Sequence, residues 1–246
     1  MHAVVTSAEE TAKATRAGDP RITRVIVVQQ NPWWAGRHGI YRSIVTEPER
    51  ADRAVRAVHT DSTITVYQAY SPHIADPALR AGRFVEPFAR GRMTWVKPSF
   101  LWMMYRCGWA TKTGQERVLA VEITREGFEW ALGHAVLSSH DARSDADHDA
   151  WARRLRESPV RVQWDPERSL RLDRLPHRSL QLGLSGEAVD RYVDEWIVGL
   201  TDVTATAHRI RDLLAAGDDR AAATSLPPER RFPLPPEVAR RIGATL

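Results

Sequence analysis

One segment of the chain, residues 93–109 (MTWVKPSFLWMMYRCGW), places a lysine and a serine directly before an apolar helix. Pro98 suits the first helical position, which puts Lys97 at the N-cap, and Gly108 suits the position just past the end. A lysine cannot accept hydrogen bonds from the free N–H groups of a first helical turn. An uncapped start of this kind favours an anion. We therefore predict phosphate binding at Lys97 and Ser99, unless Ser99, a backbone carbonyl or water satisfies the helix start.

The side chains around this helix start carry groups that a nucleotide requires. Arg92 and Arg106 are close enough in sequence to place a guanidinium beside a phosphate, and Trp102 and Tyr105 lie within the helix. The helix is apolar nearly all round, which is typical of a buried helix. Its density of tryptophan and methionine is therefore no functional signal by itself.

The segment TITVYQAYS (residues 63–71) has the alternation of a β-strand. Gln68 and Tyr70 fall on its more apolar face and Tyr67 on the other. A buried amide without partners costs about 1 to 3 kcal/mol. Gln68 is therefore expected either to be hydrogen-bonded in the core or to face a ligand cavity as a catalytic side chain, with the two tyrosines as ligand contacts.

Two further groups of polar residues stand at strand ends. Glu116 precedes RVLAVEIT, where a carboxylate either projects into a cleft at the sheet edge or belongs to a solvated turn. In PHRSLQLGL, alternation places His177 and Gln181 on one face and Arg178 on the other. His177 is a candidate general base or a plain surface histidine. We include Gln181 and Arg178 as candidate ligand contacts.

These residues lie in a chain where strand patterns and helix patterns are interleaved. Interleaving predicts an α+β class, with a mixed, largely antiparallel sheet and packed helices. We expect a disordered tail over residues 1–20, one α+β domain over 21–216, and a proline-rich extension packed on the surface over 217–246. Within the domain, charge predicts a helix or a helical turn at 46–61, periodicity predicts a helix at 185–200, and DPERS (165–169) reads as a turn.

Composition limits the function classes without selecting one. The 35 basic residues, almost all arginine, are balanced by 31 acidic ones, which permits a nucleotide or nucleic-acid partner. No apolar run approaches the roughly 18 to 20 residues of a membrane span, and the first residues lack a signal-peptide pattern, so we expect a cytoplasmic protein without a membrane partner. A single cysteine excludes an internal disulfide, and the histidine- and aspartate-rich stretch 140–149 matches no metal motif. We expect no metal, and the sequence does not specify the oligomeric state.

Four segments together resemble a known family: TVYQAYSPHIADPALRAGRF, RMTWVKPSFLWMMYRCGWATKTGQERVLAVEI, VRVQWDPER and HRSLQLGL. On these segments the chain is identified as a member of a bacterial family known only as domain-of-unknown-function family 4291. The resemblance covers roughly residues 47–204. It implies that these segments form one domain, and it implies no activity.

The order of elements also resembles that of ADP-ribosyltransferases. In those enzymes a strand with a polar residue, a short helix ending near a glycine, a second strand and a helix opening with a serine surround an NAD cleft. The resemblance implies an ADP-ribosyltransferase-like fold with NAD as the cofactor. By this resemblance Gln68 replaces the usual His or Arg, Ser99 opens the flanking helix, Trp102 or Tyr105 contacts nicotinamide, and Glu116 stabilises the positive sugar. Glutamine at the first of these positions alters the ribose contact.

The sequence therefore predicts a protein that binds NAD or another nucleotide and acts as a transferase toward a macromolecular or small-molecule acceptor. The alternative is a non-catalytic RNA- or DNA-binding module, in which Trp33, Trp34 and Trp95 stack on bases and arginines hold phosphates. A purely structural or interaction protein is the third reading. The role of the N-terminal strand that carries the first two tryptophans is open.

Overall fold

A computed structural model describes residues 52–140 and 147–245, and these form an α+β fold with mostly antiparallel strands. The predicted fold class is thus confirmed. The strands are β1 (Arg56–Ala57), β2 (Thr63–Tyr70), β3 (Thr94–Val96), β4 (Arg117–Thr124), β5 (Ala135–Leu137), β6 (Val160–Arg168), β7 (Arg174–Leu184), β8 (Ile197–Asp202) and β9 (Arg230–Arg231). The helices are α1 (Pro72–Ala81), α2 (Phe100–Cys107), α3 (Arg125–Gly133), α4 (His148–Glu157), α5 (Glu187–Arg191), α6 (Thr204–Ala215), α7 (Asp219–Thr224) and α8 (Pro236–Ile242).

Two sheets form most of the fold, and an isolated backbone bridge joins them. One has the strand order β2-β4-β8 and the other β3-β7-β6-β5, with β5 and β6 as a parallel pair. An isolated bridge joins Tyr67 of β2 to Lys97, the residue after β3. Tyr67 N donates to Lys97 O at 2.7 Å, and Lys97 N donates to Tyr67 O at 3.2 Å. The backbone of Lys97 is therefore fixed at the junction between the sheets.

Local sequence signals account for the elements that lead to this junction. Ser71 and Pro72 begin α1, and Gly82 ends it in the left-handed conformation that favours glycine. Gly108 ends α2 in the same way. The order of β2, α1, β3 and α2 along the chain is therefore the order expected from the sequence.

Strands β6 and β7 have one apolar face and one polar face. The apolar side chains pair across the strands and lie in the core: Val160, Val162 and Trp164 on β6, with Leu184, Leu182 and Leu180 on β7. Because side chains alternate along a strand, the residues between them point to the opposite face. Helix α2 contacts β6.

Two local interpretations of the sequence are wrong. In the described part of 46–61 the chain forms the short strand β1, which pairs with β9, instead of a helix. Residues 165–168 continue β6 instead of forming a turn. In both places the pairing with a distant strand outweighs local propensity.

The helix predicted over 185–200 is also shorter than expected. Helix α5 passes into a π-helical turn (Tyr192–Trp196), and β8 then pairs with β4. Trp196 packs against Gly127 of α3, where a Cβ atom would overlap the indole ring. The helical run therefore ends because this tryptophan packs on α3 and because the residues after it pair with β4.

The C-terminal residues 217–245 are more than a surface extension, which corrects that expectation. Phe232 and Ile242 are part of the core cluster, and Trp164 Nε1 donates to Ile242 O at 2.6 Å. The predicted disordered tail and N-terminal strand, with Trp33 and Trp34, lie outside the described residues. None of the described helices has the length and apolar character needed to cross a membrane.

Candidate functional site

Helix α2 begins two residues later than predicted, and it is capped. Its N-cap is Ser99, and the serine Oγ accepts a hydrogen bond from Trp102 N at 3.2 Å. Lys97 is extended because it bridges to Tyr67 and precedes a proline, which disfavours the helical conformation. The prediction of an uncapped helix with Lys97 at its N-cap is therefore wrong.

A carboxyl group of the chain itself also lies at this helix start. Phe100 N donates to Glu229 Oε1 at 2.6 Å. Glu229 as a residue is partly exposed, but its carboxyl group is enclosed. Burial raises the pKa of Glu229 well above its usual value, and the nearby Glu167 raises it further. Glu229 thus favours its protonated form while occupying the position predicted for a phosphate.

The second carboxyl group at the helix start is Glu167 of β6, which is buried. Ser99 Oγ donates to its Oε1 at 3.0 Å, and Arg168 N donates to the same oxygen at 2.8 Å. Burial raises the pKa of Glu167, and hydrogen bonds from Arg168 N, Ser99 and Ser179 oppose that rise. Of the two carboxyl groups, Glu167 is therefore the one with more donors to support a negative charge.

Glu167 belongs to a row of polar residues that we call the polar face. Pairing sets Gln163 opposite Gln181 and Asp165 opposite Ser179, and the same alternation includes Glu167 and His177. Gln181 Nε2 donates to Asp165 Oδ2 at 2.7 Å and to Gln163 Oε1 at 2.8 Å. Burial raises the pKa of Asp165, and the hydrogen bond from Gln181 and the charge of Lys97 oppose that rise. The polar face consists of Gln163, Asp165, Glu167, His177, Ser179 and Gln181.

Lys97 lies beside the polar face with 5% of its surface exposed. Within residues 52–140 and 147–245, its Nζ makes no hydrogen bond or ion pair that would offset this burial. Burial lowers the pKa of Lys97 to about 8, the charge of Arg106 contributes, and Asp165 acts in the opposite direction. A buried amine with a perturbed pKa beside a carboxyl group is a frequent property of functional sites.

Tyr67 adds a polar group that its described surroundings leave unsatisfied. The side chain is fully buried, and its hydroxyl has no hydrogen-bond partner among the described residues. Its ring packs edge-on against Phe100, with centroids 5.4 Å apart. Burial raises the pKa of Tyr67 well above its usual value, with a further contribution from Glu229. The tyrosine therefore offers a neutral O–H donor beside the helix start.

Aromatic side chains of α2 form the outer border of this region. The rings of Trp102 and Tyr105 are stacked with centroids 5.1 Å apart. The guanidinium of Arg168 lies 3.5 Å from the centre of the Tyr105 ring and 5.4 Å from that of Trp102. Tyr105 is 40% exposed, so part of this stack faces solvent.

Gln68 and Tyr70, predicted as site residues, belong to a hydrogen-bonded group in the core instead. Gln68 Oε1 accepts from the Tyr192 hydroxyl at 2.7 Å, and its Nε2 donates to the Tyr70 hydroxyl at 2.8 Å and to Trp95 O at 3.3 Å. Of the two roles considered for Gln68, the structure therefore favours that of a satisfied core amide.

Three other predicted residues also stand apart from the helix start. Glu116 Oε1 accepts from Gly114 N within its own turn, beyond the Tyr70–Arg117 end of the β2–β4 pair. Arg92 is exposed. Arg178 donates from Nη1 to Trp164 O at 3.1 Å, on the apolar side of β7. Lys97, Ser99, His177 and Gln181 are the predicted residues that the structure brings to one region, with Tyr67, Trp102 and Tyr105 around it.

Sequence reasoning missed Asp165, Glu167 and Glu229. Strand alternation through VRVQWDPER places Gln163, Asp165 and Glu167 on one face. The Asp-Pro pair instead favoured a turn at this position, so the strand was not predicted to continue to Glu167. Glu229 lies 129 residues from its partner Phe100, within a proline-rich segment. No local pattern marks it as a buried residue.

Two other kinds of site, a metal site and a surface pocket, were considered in the described residues. In the part of the chain that the structure describes, no group of three or more His, Cys, Asp or Glu side chains is placed to hold a metal ion. A shallow surface depression beside α6 is lined by Ala205, His208, Arg209, Asp212 and Leu213. It includes no residue of the polar face.

The chain matches the family described as "Domain of unknown function (DUF4291)" over residues 54–232. This match covers well over half of the chain, which therefore belongs to that family. The matched region contains Tyr67, Lys97, Ser99, Glu229 and the whole polar face. No curated protein matches the chain significantly.

Proposed function

We propose that this DUF4291 protein binds NAD or a related nucleotide beside the polar face, and transfers ADP-ribose from NAD to a macromolecular or small-molecule acceptor. One observation carries the proposal: Glu167 and Glu229 both bond to the start of α2, and Lys97 lies two residues before the N-cap of that helix, where the two sheets meet. The amine and the two carboxyl groups are all buried and have perturbed pKa values, which is the usual condition of groups that act on a ligand.

The chemistry assigned to this region is the breakage of a glycosidic bond. The bond between the ribose carbon and the nicotinamide nitrogen breaks, its electron pair leaves with nicotinamide, and positive charge develops on the ribose. A nucleophilic atom of the acceptor then bonds to the same ribose carbon and loses its proton. A fixed carboxylate stabilises that charge in the transition state. Glu167 replaces Glu116 in this role, because Ser99, Ser179 and Arg168 N hold its oxygens with hydrogen bonds.

Contacts for the rest of the ligand lie around the helix start. Arg106 and Arg168 supply guanidinium groups for the pyrophosphate, and the exposed part of Tyr105 offers a ring for stacking. The hydroxyl of Tyr67 supplies a donor without a partner among the described residues. Ser99 and Glu229 satisfy the helix start themselves, so the phosphates are assigned to the arginines instead of the helix N-terminus.

The order of elements supports the same assignment. Strand β2, helix α1 ending at Gly82, strand β3 and helix α2 opening at Ser99 follow one another as in the enzymes that the sequence resembles. Because a fold does not determine a function, the order of elements supports the proposal without carrying it. The proposal assigns the protein to the cytoplasm, where NAD is available as a substrate.

Isothermal titration calorimetry with NAD, ADP-ribose and nicotinamide tests the binding step. We expect saturable, one-to-one binding of NAD and ADP-ribose. Absence of heat for all three ligands, with the protein shown to be folded by circular dichroism, would contradict the proposal.

Release of nicotinamide from NAD tests the assignment of the carboxylate. Glu167→Gln should retain NAD binding and reduce nicotinamide release by about 100-fold, as for the loss of one transition-state contact. Glu116→Gln is the matched control and should leave the rate unchanged. The opposite result, loss of turnover in the Glu116 variant alone, would return the role to Glu116.

The same protein can be tested against the nucleic-acid alternative. Trp95 is half-buried, and its ring packs over Gly183, where a Cβ atom would lie 3.0 Å from the indole. One face of this tryptophan is thus already in contact with protein. Binding of single-stranded RNA with an affinity that falls steeply with salt, without NAD binding, would favour the nucleic-acid reading.

A further inference from the structure

Lys97 is an unusual choice of residue in this chain. Of the 35 basic residues only three are lysines, namely Lys13, Lys97 and Lys112. Arginine remains charged under all ordinary conditions, whereas a buried lysine readily becomes neutral. A chain that uses arginine almost everywhere therefore has a lysine at the buried basic position of the polar face.

The position of the Lys97 side chain is fixed by its backbone. Two hydrogen bonds with Tyr67 hold the residue at the junction of the sheets, and Pro98 restricts the next residue. With only 5% of the residue's surface exposed, the side chain has little rotational freedom. The amine is thus held in one region in advance of any ligand.

The surroundings of the amine lower its pKa to about 8, so the uncharged form is populated at a lower pH than for an ordinary lysine. Arg106 of α2 repels a positive charge there, while Asp165 of β6 acts in the opposite direction. Asp165 is itself committed to Gln181 by a 2.7 Å hydrogen bond. The exposed Lys112, in contrast, donates from Nζ to Arg106 O at 2.8 Å. A neutral amine has a free lone pair, which makes it a nucleophile.

We propose that Lys97 is a nucleophilic lysine that forms a Schiff base with a phosphorylated aldehyde. The Nζ lone pair attacks the carbonyl carbon and forms a C–N bond, and the carbonyl oxygen takes up a proton. The resulting carbinolamine loses water and leaves a C=N bond to Nζ. Asp165 lies close enough to influence Lys97 electrostatically, and it is the group that accepts and returns the proton.

The phosphate in the proposed ligand follows from the charges around the amine. Arg106 acts on Lys97 through its charge, and Arg168 lies over the Tyr105 ring of the same helix, α2. Guanidinium groups recognise phosphate through paired hydrogen bonds. This chemistry goes beyond the proposed transfer of ADP-ribose and does not require NAD to bind.

Reductive labelling of the full chain tests the inference. The protein is treated with pyridoxal 5′-phosphate, or with the smaller glyceraldehyde 3-phosphate, then reduced with borohydride, digested and mapped by mass spectrometry. We expect Lys97 to be labelled at least tenfold faster than the exposed Lys112, with a rate that levels off above about pH 8. Lys97→Arg should abolish this label and leave labelling of Lys112 unchanged.

The outcomes separate this inference from the proposed function. If neither aldehyde labels Lys97 faster than Lys112 in the folded protein, the nucleophilic lysine is wrong, whatever the calorimetry with NAD shows. If Lys97 is labelled rapidly but NAD and ADP-ribose do not bind, the lysine chemistry stands and the transferase proposal fails. Circular dichroism of Lys97→Arg shows that loss of label is not loss of fold.

Discussion

The Ser99 hydroxyl joins the start of α2 to the Glu167 carboxyl group at 3.0 Å, across 68 residues of sequence. The same oxygen of Ser99 accepts from Trp102 N, so one side chain both caps the helix and holds the carboxyl group. The position of Glu167 on the polar face is therefore linked to the geometry of the helix.

Ser99→Ala should lower the free energy of unfolding by about 2 kcal/mol. The substitution removes an N-cap, which costs about 1 kcal/mol, and deprives the buried Glu167 of a donor. Thr124→Ala is the matched control, since Thr124 caps α3 through Gly127 N and bonds to no carboxyl group among the described residues. Urea denaturation of both variants measures the difference. Equal losses would show that the bond to Glu167 adds nothing to stability.

Glu229→Gln should change how stability depends on pH. The pKa of Glu229 is raised in the folded protein. Above about pH 4.5, the ordinary pKa of a glutamate, the unfolded chain therefore releases a proton that the folded state still holds. Wild-type stability should therefore fall as the pH rises above about 4.5, and glutamine, which still offers Oε1 to Phe100 N, should remove this contribution. The advantage of the variant should grow between pH 5 and pH 8.

Thermal melts of Glu229→Gln and wild type across this pH range provide the measurement. Glu157→Gln, at an exposed position of α4, is the control and should follow the wild type at each pH. Parallel curves for Glu229→Gln and wild type would mean that Glu229 is ionised in the folded protein.

Lys97→Met should stabilise the protein at pH 7. The fall in the pKa of Lys97 from 10.5 to about 8 corresponds to about 3 kcal/mol of unfavourable charge burial. Because the folded state loses the proton first, wild-type stability should rise between pH 8 and pH 10.5, and the advantage of methionine should shrink. Chemical denaturation of both proteins at pH 7 and pH 10 tests this. Lys112→Met should have little effect, and a Lys97→Met variant that is less stable than wild type at pH 7 would contradict the expected cost.

Tyr192→Phe should destabilise the fold and leave ligand binding intact. It removes the only recorded donor to Gln68 Oε1 among the described residues, which should cost about 2 kcal/mol. Tyr105→Phe, which keeps the ring over Arg168, is the control and should change stability by less than about 0.5 kcal/mol. Denaturation of both variants measures the effect on stability, and NAD titration measures the effect on ligand binding. A large loss of NAD affinity in Tyr192→Phe would return Gln68 to the site.

The parts of the fold that the sequence predicted depend on local signals. Alternation identified β2, and Gly82 and Gly108 ended their helices because the left-handed conformation favours glycine there. The errors arose where long-range contacts decided the outcome. Lys97 was assigned as an N-cap because Pro98 suits a first helical position, but the bridge to Tyr67 keeps it extended.

The same distinction applies to the site. Ser99, His177 and Gln181 were found because each stands in a recognisable strand or helix start. Glu167 was missed because a local turn signal was trusted over strand alternation, although the alternation was readable. Glu229 could not be found in this way, since only the folded chain brings it to Phe100 N.

Hydrogen–deuterium exchange with and without saturating NAD tests the central claim most directly, because it shows where a nucleotide binds. The account predicts that NAD slows amide exchange in residues 94–107 and 163–181, which contain Lys97, the start of α2 and the polar face. Residues 204–215 of α6, beside the surface depression, should be unaffected. Protection confined to α6, or no protection at saturating NAD, would contradict the account.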